Sequence, residues 1–135
     1  MKTLFNVSSL VLVLVTLTVS HVYAQDKNLV VRVAKLKIDS LQLQEYNAAL
    51  KEEIETSVRI EPGVLTLYAV AEKDNPTSIT IFEIYINADA FKSHLESTHF
   101  KKYKSTTQQM VLTLELIETE PIILATKPNV KKKLK

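Results

Sequence analysis

Few residues of this chain are equipped for chemistry, and most of those fall in one stretch. Two of its three histidines, His94 and His99, lie five positions apart. On one continuous helix they would point about 140° apart. The spacing is not that of H-E-x-x-H, so no metal site is expected from it. A break at Ser97-Thr98 would let both rings turn toward one cavity. There an imidazole, which titrates near neutral pH, could orient or deprotonate a phenol. A histidine at a helix end can equally be a cap or a surface residue. Glu83 stands in the apolar run Ile81-Phe82-Glu83-Ile84-Tyr85. A carboxylate there is costly unless it is paired or protonated. It reads either as a general base or ligand anchor, or as a structural partner of Arg32, Lys35 or a tyrosine. His94, His99 and Glu83 are thus the candidate catalytic residues. Tyr46, Tyr68, Phe82, Tyr85, Phe91 and Phe100 are expected to line the space between helices and sheet. They would make ordinary core or a slot for a flat aromatic ligand.

Other chemistries are excluded by what the chain lacks. It has no cysteine, hence no thiolate nucleophile, disulfide or Cys-based metal site. Gly63 is its only glycine. Phosphate cradles need several, so that backbone N–H groups can approach the ligand, and dinucleotide or P-loop binding is excluded on that ground. Hydrophobic residues make up 46% and charged residues 24% of the 135 positions, the balance of a folded domain. The net charge of +2 is unevenly placed. Setting aside Lys2 and the five lysines from Lys127 to Lys135 leaves fewer basic residues than the 15 acidic ones. The body is therefore mildly acidic and the tail basic. Such a tail could touch nucleic acid or anionic lipid, but it reads as a solvated, disordered end. No nucleic-acid partner is expected.

The elements that hold the candidate residues follow from patterning. Leu29–Ile38 is apolar and β-branched with intermittent charge, a strand. Asp39 and Gln42 form a capping box for a helix. Leu43, Tyr46, Leu50, Ile54 and Val58 make its apolar face, with Gln44, Lys51, Glu52 and Glu55 outward. Glu61-Pro62-Gly63 stops it near Arg59, with Gly63 expected in a left-handed turn. Val64–Ala71 and Ser78–Ile86 are strands joined by the turn Lys73–Thr77, an antiparallel hairpin. Asn87 caps a helix over Ala88–Leu95. A third, short helix runs from about His99 to Thr107. Met110–Glu118 is the last strand, with Met110, Leu112, Leu114 and Leu116 on one face. The order β-α-β-β-α-β predicts a ferredoxin-like α+β fold, an antiparallel sheet with helices on one face. Ile79, Ile81 and Tyr85 lie on one side of the third strand and Phe82, Ile84 and Ile86 on the other. Helices can cover only one of these apolar faces. A second copy packed sheet to sheet would cover the other, which predicts a homodimer.

The first residues are of another kind. Lys2 precedes the apolar stretch Leu10–Val19, and Val22-Tyr23-Ala24 supplies a small-residue exit. That is the pattern of a secretory signal peptide, too short for a membrane span of about 20 residues. The expected organisation is a signal peptide over 1–24, one domain over 25–126 and a basic tail over 127–135. The mature protein is expected in the periplasm or the medium, with no stable membrane insertion.

The segment from Glu61 to Tyr103 carries a fuller pattern. Glu61-Pro62-Gly63 stands before the second strand, Asp74-Asn75-Pro76 between strands two and three, and Phe82-Glu83-Ile84-Tyr85 inside the third. Ala90-Phe91, His94, Ser97 and His99-Phe100 follow. This resembles the antibiotic biosynthesis monooxygenase family, which includes quinol monooxygenases, over Leu29 to about Glu118. The resemblance implies a homodimer whose sheets meet in an α+β barrel. It also implies oxidation of multi-ring phenols or quinols by molecular oxygen with no metal or organic cofactor. In that chemistry the deprotonated substrate itself passes an electron to oxygen, and the protein supplies a hydrophobic slot and a base. Haem-degrading relatives rely on a Trp where this chain has Tyr85 and on a His where it has Lys104, so haem is not expected. Two alternatives stand beside the monooxygenase. One is a non-catalytic small-ligand-binding or stress-related protein of the same fold. The other is an isomerase of a small carbonyl compound, with Arg32, Lys35 and Lys37 as a basic pocket.

Overall fold

The structure, a computed structural model, describes residues 28–127. The expected signal peptide, residues 1–24, and residues 128–135 of the expected tail lie outside the described residues. Strand β1 (Val30–Ile38) leads through a 3₁₀ turn (Ser40–Gln42) into helix α1 (Leu43–Ile60). Strands β2 (Val64–Glu72) and β3 (Asn75–Tyr85) follow, then helices α2 (Ala88–Glu96) and α3 (Thr98–Thr107), and strand β4 (Val111–Thr119). The sheet order is β2-β3-β1-β4 with every neighbouring pair antiparallel. This is the expected ferredoxin-like α+β fold. Among the described residues no helix is long and apolar enough to cross a membrane.

Register assigns the two faces of the sheet. Ala34 pairs with Ile81 and Leu36 with Ile79, and these four pack with Tyr46 and Leu50 of α1 into the main core. The odd residues of β3 and the even residues of β1 therefore face the helices. Val33 pairs with Phe82, which pairs in turn with Tyr68, and these face away from the helices. Lys35 and Lys37 share that outer face while Arg32 is on the inner one, so the three cations do not form one basic pocket.

Local chemistry explains the joints. Asp39 accepts from Leu41 N at 2.9 Å, while Gln42 Nε2 bonds the Asp39 carboxylate rather than its backbone. The cap therefore closes a 3₁₀ turn ahead of the helix. The β2–β3 turn is tighter than expected. Glu72 pairs with Asn75 around Lys73-Asp74, and a register shift at Ala71/Glu72 takes up Pro76, which cannot donate to a ladder. The α1 stripe is also rotated from expectation. Tyr46, Leu50, Glu53 and Ser57 are its buried residues, while Val58 is exposed. Gly63 corrects another expectation, since no glycine has positive φ. A Cβ there would instead collide with Ala90 Cβ at the start of α2 and crowd Ile86. The glycine is required because the corner after α1 presses on α2.

Candidate active site

Two carboxylates from α1 and its end meet two histidines from the α2–α3 junction. Glu61 is the residue at which α1 stops; its N–H reaches Ser57 O at 2.9 Å and its backbone is extended. The close approach at Gly63 then sets Glu61 against the second helix pair. On the other side, Ser97 breaks the helices in an extended conformation, its Oγ accepting from Phe100 N and donating to His94 O. That break turns both rings onto one atom. His94 Nδ1 lies 3.0 Å and His99 Nε2 2.5 Å from Glu61 Oε1. An ionised carboxylate can only accept, so both ring nitrogens donate to it. Burial works against the Glu61 charge, but the hydrogen bonds from His94 and His99 outweigh it and hold the group below its usual range.

With Nδ1 donating to Glu61, the remaining ring nitrogen of His94 faces Glu53. His94 Nε2 stands 3.6 Å from Glu53 Oε1, which also accepts from Ser57 Oγ at 2.6 Å. His94 is 3% exposed and Glu53 5%. Burial raises the Glu53 pKa above the usual range, partly opposed by Ser57 and His94. The two carboxylates on one imidazole are thus pushed in opposite directions. One atom each of Glu53, His94 and His99 lies within 4.8 Å of the others, a donor set of the type that holds zinc. In the hydrogen-bonded arrangement, however, each ring already spends one nitrogen on Glu61.

Beside this cluster lies a cavity of about 280 Å³ between the inner sheet face and helices α2 and α3. Arg32, Glu83, Tyr85, His94 and Lys104 are among the polar residues of its wall, and Phe91, Phe100 and Tyr103 are among its aromatic ones. Tyr85 is fully buried and donates its hydroxyl to Glu83 Oε2 at 3.0 Å. Burial raises the Glu83 pKa, opposed by that hydroxyl and by Arg32. Burial, then the Glu83 charge, raises that of Tyr85. The cavity opens beside β4, where Leu112, Leu114 and Leu116 line it and remain exposed. The last two pair with Leu36 and Ala34, so the expected apolar face of β4 is turned to the helix side but is not covered by the helices.

Of the residues singled out from sequence, His94, Glu83, Tyr85, Phe91 and Phe100 line this cavity together. His99 does not; it is behind His94 on Glu61 and borders a smaller cleft with Glu53 and Lys102. Tyr46 is sealed in the core with its hydroxyl 2.7 Å from that of Tyr103. Tyr68, 50% exposed, and Phe82 correct the expectation of one aromatic space, because both stand on the outer face of the sheet. Glu53, Ser57 and Glu61 escaped the sequence reading as site residues. Glu53 and Ser57 could have been found, since they follow Tyr46 and Leu50 at steps of three and four along the buried stripe.

The matched family model covers residues 29–106 and describes an antibiotic biosynthesis monooxygenase. The chain belongs to the antibiotic biosynthesis monooxygenase family. A candidate antibiotic biosynthesis monooxygenase of Bacteroides thetaiotaomicron is 55% identical, with a TM-score of 0.73 over 76% of this chain and 97% of that one. A candidate monooxygenase of Lactobacillus acidophilus is 31% identical, with a TM-score of 0.66 over 69% of this chain and 44% of its own. A family protein of Nitrosomonas europaea, 18% identical, shares the fold at a TM-score of 0.66 over 70% of this chain and 91% of that one. No curated protein matches the chain.

Proposed function

We propose that this protein is a cofactor-independent monooxygenase acting on a quinol or another phenolic aromatic. The observation that carries the reading is the cavity, in which a half-buried carboxylate held by a tyrosine hydroxyl adjoins aromatic walls. Glu83 is the proposed base. A carboxyl group whose pKa burial raises is a stronger base for a phenolic proton than a free one. Tyr85 orients it, and His94, fixed by Glu61, walls the pocket behind Tyr85 with ring centroids 5.3 Å apart. The deprotonated ligand would supply the electrons for oxygen, one oxygen atom entering the ring and the other leaving as water. Oxygen uptake with menadiol and a panel of hydroquinones tests this. Uptake above autoxidation is expected; its absence across the panel, with a ligand still bound, would leave a binding protein of the same fold.

The working unit is proposed to be a homodimer packed through the outer sheet face. Val33 and Phe82 are only half-buried there, and Tyr68 and Val70 are exposed. Residues 1–24 are proposed to be removed on export, on the strength of their sequence pattern.

A further inference from the structure

The chemistry above leaves Arg32 unused. By register it lies on the inner face of β1, between Glu83 of β3 and Glu118 of β4. Its guanidinium carbon is 4.4 Å from the centroid of the Phe91 ring, and it lines the cavity. Among the described residues its Nε is buried with no hydrogen-bond partner. It takes part in none of the ion pairs found among them. An N–H left in that state forgoes its hydration without a replacement bond, and the Phe91 ring favours keeping the cation where it is. Glu83 and Glu118, the neighbours of Arg32 by register, form no ion pair with it among the described residues. A cation is therefore held at the edge of an apolar cavity with a donor unspent. The cavity volume of about 280 Å³ is just below that of ordinary ligand pockets, about 300–1,000 Å³, which favours a ligand of one or two rings.

We propose that the cavity takes a flat aromatic ligand bearing an anionic oxygen, a carboxylate or an ionised ring hydroxyl, with that oxygen on the Arg32 guanidinium and the ring against Phe91 and Phe100. This rests on the cavity being the substrate site and narrows its ligand to aryl oxyanions. Calorimetric titration of the purified protein with 2-naphthoate and with neutral 2-naphthamide tests it, with 1-naphthol titrated across a pH series as the hydroxyl arm. Naphthoate should bind at least about tenfold tighter than the amide, the usual weight of a charge-assisted hydrogen bond. R32Q should bring the two level, R32K should keep part of the difference, and F91L should reduce it. Circular dichroism melts check that each variant folds; if R32Q does not, R32K and F91L carry the comparison. Naphthol that tightens as it ionises, without naphthoate binding, assigns Arg32 to the ring hydroxyl, and the reverse assigns it to a carboxylate. Equal affinities for naphthoate and its amide with no pH effect on naphthol, a preference that survives R32Q, or no binding of any probe would each overturn the proposal. None of the probes has to be oxidised. Arg32-dependent binding without quinol oxidation would therefore remove the monooxygenase reading alone, and oxidation without charge preference would remove this one alone.

Discussion

Glu61 and Glu83 sit within one small volume and answer pH in opposite senses. Glu61 is held below the ordinary value of 4.5 by His94 and His99. Its contribution to stability is present above that value and is lost as pH falls through the lowered folded pKa. E61Q should therefore cost about 2 kcal/mol at pH 7, the weight of charge-assisted hydrogen bonds, and should blunt acid unfolding in a series of melts at decreasing pH. Glu83 is raised by burial, so its ionised form costs stability, which declines as pH rises from 4.5 through the folded pKa. As a base it works only when ionised. Oxygen uptake should rise with pH through an apparent pKa above 4.5, and E83Q should lose at least about 100-fold in rate. A flat profile at full rate in E83Q would remove Glu83 from the mechanism.

At the scale of elements, the site depends on two joints rather than on the helices themselves. The Ser97 break turns α3 so that His99 meets the same oxygen as His94. The corner at Gly63 lets Glu61 approach α2, because a side chain there would meet Ala90. G63A should destabilise by about 1–3 kcal/mol, the cost of overpacking a tight contact. It should also loosen the Glu61–histidine contacts. Histidine proton resonances in the variant should move if the corner has shifted and stay in place if only packing was strained. The sequence announced both joints as helix breaks. It did not show that each break aims a polar side chain at the other, because the two are over thirty residues apart and meet only when α1 and the α2–α3 pair settle on the same face of the sheet.

For the whole molecule, the question is which face of β3 a second copy would cover. Ile81 is in the core beneath α1, whereas Phe82 is on the outer face opposite Val33 and Tyr68. I81K should unfold the subunit, since an unpaired ammonium in the core costs several kcal/mol. F82K should leave the fold intact and shift light scattering from dimer to monomer. A specific interface buries about 800 Å² per partner, and a lysine near its centre would have to be desolvated. A wild-type protein that scatters as a monomer at micromolar concentration would dismiss the sheet-to-sheet dimer. Intact mass tests the proposed signal peptide separately. If residues 1–24 are removed as proposed, the mature chain begins at Gln25, and a mature chain that keeps Met1 would show that no signal peptide was removed.

Element types and order were readable from the sequence because they rest on local periodicity. The β-branched apolar runs of β1 and β3, the three- and four-residue steps of α1, and caps at Asp39, Asn87 and Ser97 all act over a few residues. So were His94 and Glu83, since a histidine beside a helix break and a carboxylate inside an apolar strand are conspicuous wherever the chain runs. Tertiary structure alone decided which aromatics share a space. Phe82 and Tyr85 are three residues apart and fall on opposite faces of the sheet, and Tyr68 follows Phe82 outward through the β2–β3 register. It also decided that Glu61 is the hub of the histidines and that Arg32 meets the cavity with a donor unpaired among the described residues. Those facts depend on which strands are neighbours and how closely the helices press on them, and non-local packing of that kind leaves no periodic trace in the chain.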